Sequence, residues 1–314
     1  MKPPARSGRT GIRTLALAGS AFVLAAASSP KAQEIAFTFD DLPAHASLPP
    51  GQTRLEVAQS LIASLKAAGL PPVYGFVNGV REDQEPASRS VLPAWRAAGF
   101  PLGDHTWSHM NFATHTLAEF EANIELNRPV LEREMGDGDW RWFRFPFLSE
   151  GDTAEKRAGI RTYLAGQGYR VAQVTMSFGD YAFNDPYARC VAKGDQAAIA
   201  KLEHDYLAAA AESAAFSRSL SHALYGRDIP YVLLMHAGAF DARMLPRLLA
   251  LYRSEGFGFV TLPEAERDPA YRIDVDLRSP DGPDTLEETM KARSLPLPAR
   301  PNAFDLDSLD AVCR

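Results

Sequence analysis

Four places in this 314-residue chain combine residue types that can do chemistry with positions that would expose them. The first is Thr38-Phe39-Asp40-Asp41, where two adjacent carboxylates close an apolar run. At the C-terminal end of a buried parallel strand, carboxylates stand where α/β enzymes gather their sites, and neighbouring strand residues point in different directions, so the two can take two roles. The second is Asp104-His105-Thr106-Trp107-Ser108-His109; histidines four apart share one face of a helical turn and can bind one metal ion. The third, Arg141-Trp142-Phe143-Arg144-Phe145-Pro146-Phe147, puts Arg144 at a strand end, where it could clamp a carboxylate with a bidentate fork. The fourth, Tyr231-Val232-Leu233-Leu234-Met235-His236, is an apolar strand ending in a residue suited to general acid or base work. Taken singly, each has an ordinary structural explanation: an Asp-Asp turn, a surface or hydrogen-bonded histidine pair, a surface ion pair, a histidine capping a strand. Four such endings in one chain point to a shared site.

The elements that must position these residues follow from the apolar pattern. Segments 35–39, 72–77, 100–103, 142–145, 169–174, 231–235 and 257–261 read as short buried strands. Amphipathic runs at 54–68, 88–98, 116–135, 153–167 and 244–255 read as helices, and Thr116 with Glu119 makes a capping-box start. Regular alternation of strand and helix implies an α/β fold on a mostly parallel sheet, either open and doubly wound or closed as a barrel. One domain over 33–267 is expected, with an alanine-rich insertion of two helices over 195–227. The segment 268–314, rich in proline and aspartate, is expected as an irregular extension packing over the domain surface.

In this order the motifs resemble the polysaccharide deacetylase family, also called NodB-homology or carbohydrate esterase family 4 enzymes, over roughly 35–262. The resemblance implies a distorted, incomplete (β/α) barrel, which suits the seven strands. It implies Asp40 as catalytic base and Asp41, His105 and His109 as ligands of a divalent metal, zinc first and cobalt, nickel or manganese as alternatives. From the Arg-x-Pro-aromatic motif it implies Arg144 orienting Asp40 and the Phe145 backbone amide in the oxyanion hole, and from the leucine-rich strand it implies His236 as general acid. Pro146, Phe147 and Tyr181 would then line the substrate pocket, and Asp180 would orient His236. The chain departs from the family pattern in two places. After Asp41 it has Leu42-Pro43 in place of glycine, so the loop beside the metal should differ in shape. The fourth motif appears only as Ser177-Phe178-Gly179-Asp180-Tyr181, without its first acid and its tryptophan, which bears on substrate preference more than on the chemistry.

The remaining features bound the function. Lys2, Arg6, Arg9 and Arg13 precede an apolar run over 15–27 and small residues after it, the layout of a secretory signal peptide over 1–32. The run is shorter than the ~20 residues of a comfortable span, so no membrane anchor is expected after cleavage, and the mature protein is expected in the periplasm or secreted. Of the chain's two cysteines, Cys190 and Cys313 could form a disulfide in such an oxidising compartment, stapling the tail to the body, or could remain thiols. A net charge of −6 disfavours nucleic-acid binding and suits a neutral, acetylated carbohydrate partner. No Gly-x-Ser-x-Gly elbow occurs, which argues against a serine hydrolase. The expected activity is hydrolysis of a non-peptide carbon–nitrogen bond, an N-deacetylation of polysaccharide or oligosaccharide. The alternatives are an O-acetyl esterase or small-amide hydrolase on the same scaffold, and a non-catalytic cell-envelope carbohydrate-binding protein.

Overall fold

The strand β1 (Gln33–Leu42) is flanked by strands on both edges and covered on both faces, which is why 35–39 contains Thr38 as its one polar side chain. This computed structural model describes residues 1–4, 8, 33–272, 285–299 and 306–314; the expected signal segment falls almost wholly outside them. Beyond β1 come β2 (Tyr74–Val77), β3 (Leu102–Asp104), β4 (Trp142–Phe143), β5 (Arg170–Val171), β6 (Tyr231–His236) and β7 (Phe257–Phe259). Their order is β5-β4-β3-β2-β1-β6, with β7 paired to the start of β1, and every pairing is parallel. After β5 the chain crosses to β6: Met176 bridges Leu233, and the Val232 N–H donates to Thr175 Oγ1 at 2.8 Å. The result is a curled half-barrel of parallel strands with helices around it, consistent with the distorted, incomplete (β/α) barrel that the family resemblance implies.

The helices are α1 (Arg54–Ala67), α2 (Val80–Gln84), α3 (Val91–Ala97), α4 (Leu117–Met135), α5 (Ala154–Gly166), α6 (Asn184–Lys193), α7 (Gln196–Tyr225), α8 (Ala239–Ser254), α9 (Leu262–Ala265), α10 (Thr285–Ala292) and α11 (Leu306–Leu309). Capping boxes start α1 (Thr53 with Glu56), α4 (Thr116 with Glu119) and α9 (Thr261 with Glu264). Each such cap satisfies amides the helix cannot satisfy itself, a contribution of ~1 kcal/mol.

The core divides as strand alternation requires. Ala36, Tyr74, Phe76, Trp142, Ala172 and Val232 form one cluster, enclosed by the strands and closed off by Leu262 and Ala265 of α9. Ile35, Phe37, Phe39, Tyr231, Leu233 and Met235 belong to the other, packed with Leu61 and Leu65 of α1 and Leu245 and Leu248 of α8. Each buried aliphatic or aromatic side chain there contributes ~1.5–3 kcal/mol. By the same alternation Asp40 continues the face of Ala36 and Thr38, and His236 that of Val232 and Leu234.

Two expectations change. The alanine-rich stretch is one unbroken 30-residue helix, α7, where two were expected; no glycine or proline occurs within it, so nothing ends it before Gly226 at φ +69°. The described parts of the tail are more ordered than an irregular wrap. In α10, Leu286 and Met290 are buried in the main core, and the Thr285 N–H donates to the Val174 carbonyl at 2.7 Å, beside the crossing from β5 to β6. Cys190 of α6 and Cys313 are disulfide-bonded, and Arg189 donates to the Asp310 and Val312 carbonyls. Among the described residues, no helix is long and apolar enough to cross a membrane.

Candidate active site and metal centre

The C-terminal ends of β1, β3, β4 and β6 bring the four motifs to one rim. Asp40 and His236 are direct partners in the parallel pairing of β1 with β6, so register alone sets base-type and acid-type residues side by side. Asp41 should point away from Asp40 in a regular strand. It does not, because the β1–β2 register slips between Phe39 and Leu42 and Asp41 takes φ +64°. The turn brings both carboxylates to one histidine: His105 Nε2 lies 3.6 Å from Asp40 Oδ2 and 3.6 Å from Asp41 Oδ1. His109 Nε2 is 3.6 Å from the same Asp41 oxygen.

The histidines do not lie on a helical turn as their spacing suggested. Residues 105–110 form a loop with Thr106 at φ +63° and His109 at φ +54°, and this winding sets the two imidazole centroids 4.9 Å apart. Left-handed backbone at a non-glycine residue costs on the order of 1–3 kcal/mol and persists only where the surroundings impose it. Here they do. Asp104 Oδ1 accepts from the Thr106 N–H (2.8 Å) and Asn127 Nδ2 (2.9 Å), and its Oδ2 accepts from the Tyr169 hydroxyl at 2.7 Å. Asn78 Nδ2 donates to the His105 and Thr106 carbonyls at 2.6 and 3.0 Å.

The donor set fits a divalent ion. One atom from each of Asp41, His105 and His109 lies within 4.8 Å of the others, and among the described residues the buried Asp41 Oδ1 has no hydrogen-bond partner. His105 Nδ1 is 2.7 Å from the Arg144 carbonyl, which can only accept, so the proton sits on Nδ1 and the Nε2 lone pair faces Asp41. Burial pushes both His105 and His109 down to about 4, leaving them neutral, the ligating form. For Asp41 burial works upward, but the hydrogen bond and charge of His45 outweigh it and hold the carboxyl well below its ordinary range.

Arg144 is buried and does not form the bidentate fork its sequence position suggested. Its Nη1 is 3.5 Å from Asp40 Oδ1, while Nε donates to the Ala172 carbonyl (2.8 Å) and Nη2 to Thr38 Oγ1 (3.1 Å). The guanidinium is thus tied to β1 and to the segment after β5, and meets Asp40 with one edge. Burial pushes Asp40 up to about 6, with the Arg144 charge pulling the other way.

Beside Asp40 on the neighbouring strand, His236 is held by Asp180, whose Oδ2 accepts the His236 backbone N–H at 2.6 Å and whose oxygens lie 3.1 and 3.2 Å from Nδ1. Burial disfavours the imidazolium, yet the Asp180 charge and hydrogen bond lift His236 to about 10. Behind this pair, Asn184 Nδ2 and the Tyr206 hydroxyl both donate to Asp241, at 2.8 Å each.

Two aromatic rings flank the cluster and stay open to solvent: Phe147, 53% exposed and 4.5 Å from the His109 ring, and Tyr181, 51% exposed and 5.5 Å from the His236 ring. Pro146 is buried at the start of the turn that carries Phe147 at φ +57°. The Phe145 side chain is buried against Phe120 and Phe143, and among the described residues no protein group accepts from the Phe145 or Phe147 amide. Thr38 and Asp104 support this site from inside the quoted motifs, where no role had been assigned to them, and His45, Asn78 and Asn127 support it without having been singled out in the sequence. The one signal was His45 four residues beyond Asp41.

The family model described as polysaccharide deacetylase matches residues 27–163. A search of curated proteins found no match. Solved structures similar to this chain include a family 4 carbohydrate esterase from Streptomyces lividans, at 19% identity and TM-score 0.48, covering 74% of this chain and 95% of that one. A peptidoglycan deacetylase from Bacillus subtilis is similar at 18% identity and TM-score 0.48, covering 80% of this chain and 98% of its own. A family 4 pseudoenzyme from Bacillus anthracis is similar at 13% identity and TM-score 0.48, covering 76% of this chain and 66% of its own. The segment that the polysaccharide deacetylase model matches carries the aspartate pair, the histidine pair and Arg144 to Phe147.

Proposed function

We propose that this protein is a metal-dependent hydrolase that removes acetyl groups from the nitrogen of an N-acetylated polysaccharide or oligosaccharide. The observation that carries the reading is one cluster at the strand ends that joins a neutral histidine pair and an Asp41 oxygen unpartnered among the described residues to Asp40 and, beside it, the His236–Asp180 pair. Asp41, His105 and His109 would hold a divalent ion, zinc first and cobalt, nickel or manganese within the same donor chemistry, which supplies Lewis acidity toward the acetyl carbonyl and toward water.

The chain's own residues account for the proton movements. With its carboxyl near 6, Asp40 is mostly ionised at neutral pH and can take the proton of the attacking water. Arg144, fixed by Thr38 and Ala172, keeps Asp40 oriented and opposes the rise that burial alone would produce. The Phe145 amide, with no protein acceptor among the described residues, is a donor for the carbonyl oxygen as it becomes negative, and the Phe147 amide beyond Pro146 is equally uncommitted among them. His236, kept protonated by Asp180, gives its proton to the departing nitrogen, completing hydrolysis to free amine and acetate. Phe147 and Tyr181 offer exposed ring faces on either side, suited to the apolar faces of sugar rings.

The basic and apolar N-terminal layout supports export to the periplasm or beyond, and the Cys190–Cys313 bond is in keeping with an oxidising compartment. The reading is tested by acetate release from N-acetylglucosamine oligomers, peptidoglycan and acetylated xylan, before and after chelation and with zinc or cobalt restored. Release from the N-acetylated members that chelation abolishes and metal restores is the expected result. Preference for acetylated xylan would move the assignment to O-acetyl ester hydrolysis, and activity indifferent to chelation would overturn the metal reading.

A further inference from the structure

His45 lies outside every motif that marks the site, yet its imidazole is inside it. Nδ1 is 2.7 Å from Asp41 Oδ2, and the ring centroid is 4.7 Å from that of His236. A carboxylate accepts and cannot donate, so His45 Nδ1 carries the proton of this hydrogen bond. The loop bearing it is fastened at both ends. Arg54 Nη1 and Nη2 donate to the His45 and Ala46 carbonyls at 2.7 Å each, while Arg54 Nε is paired with Glu85 at 3.1 Å. The Ser47 N–H donates to Asp185 Oδ1 of α6 at 2.8 Å.

We infer that His45 is the positioning residue for Asp41, occupying Oδ2 so that Oδ1 alone faces His105, His109 and the divalent cation they would share. Asp41 sits on left-handed backbone at a slipped strand end, where little else in the sheet fixes its side chain. With Oδ2 taken, the buried Oδ1 is left without a hydrogen-bond partner among the described residues and equidistant from both imidazole nitrogens at 3.6 Å. A carboxylate already held in its ligating orientation loses less rotamer freedom when the ion arrives, and hydrogen-bonded outer partners of this kind tune metal affinity. The inference rests on the metal reading above.

The test is calorimetric titration of the metal-free protein with zinc and with cobalt, for the unaltered chain and for His45→Asn, His45→Gln, His45→Ala and His109→Ala, with thermal melting as the check on folding. Asparagine keeps an amide donor near the Nδ1 position, whereas glutamine places its amide near Nε2. The expected order is affinity within ~3-fold of the unaltered chain for His45→Asn and a loss of ~10–100-fold for His45→Gln and His45→Ala, with melting unchanged. Unaltered affinity in His45→Ala, or equal losses in the asparagine and glutamine variants, would overturn the assignment. Should His45→Ala not fold, the asparagine and glutamine variants decide between these results. If His109→Ala loses the ion while His45→Ala keeps it, the His45 inference alone fails. If the unaltered chain binds neither ion, the metal reading fails and carries this one with it.

Discussion

Replacing Asp180 with asparagine keeps the size of the side chain that holds His236 and removes its charge, so it isolates what that charge does. In the native protein burial opposes the imidazolium, but the Asp180 charge and hydrogen bond prevail and lift His236 to about 10. Without that charge, burial is opposed only by the remaining pull of Asp41 and Asp40, and the ordinary value of 6.5 is a fair reference for the variant. A general acid works in its protonated form, so activity is lost as pH rises through the His236 pKa. At pH 8 a group titrating at about 10 is ~99% protonated and one titrating at 6.5 is ~3% protonated, a loss of ~30-fold, or ~2 kcal/mol. At pH 6 the same comparison gives a loss of less than ~1.5-fold. Asparagine also holds the ring less firmly, which slows the reaction by a similar factor at every pH. A bound cation shifts His236 downward in both proteins, so the diagnostic quantity is the variant's extra loss at pH 8 relative to pH 6, ~20–30-fold before that common shift. Acetate release measured from pH 5.5 to 9.5 at fixed saturating metal reads it directly. A loss that is the same at both pH values would show that Asp180 acts through orientation alone, or that His236 is not the acid.

Other outcomes follow from the same geometry. Asp40→Asn should retain metal affinity, because Asp41 and the histidines are untouched, while turnover falls by ~100-fold or more; near-normal turnover would remove Asp40 as base. His109→Ala should instead lose the ion, seen by calorimetry as well as by activity. His236→Ala should fall hard on amide substrates and recover in part on an ester with an activated leaving group, since such a group departs without a proton; equal impairment on both would make His236 structural. Cys190→Ser should lower stability by ~2–4 kcal/mol in denaturant melts, because the bond closes a loop of 123 residues whose freedom the unfolded chain regains. An unchanged midpoint there would show that α10 and α11 dock without the staple.

The parts of this protein legible in the sequence were those set by local chemistry. Seven apolar runs became seven strands because parallel strands covered on both faces leave little room for polar residues, and the Thr116–Glu119 capping box was visible because its partners lie within one turn. The four motifs met at one rim because each stands at a strand's C-terminal end, so topology alone had to collect them. What only tertiary structure decided was orientation. Period-two alternation puts Asp40 and Asp41 on opposite faces, and the slipped register with φ +64° at Asp41 reverses that; the histidine pair meets through left-handed loop backbone where a helical turn was expected. Arg144 divides its donors between Ala172 and, on β1, Thr38 and Asp40, two places distant in the chain, which no local pattern could rank. His45 is the sharpest case. Its spacing from Asp41 is visible in the sequence, but its hold on Oδ2 depends on Arg54, Glu85 and Asp185 fastening its loop, contacts that exist only after the barrel has closed.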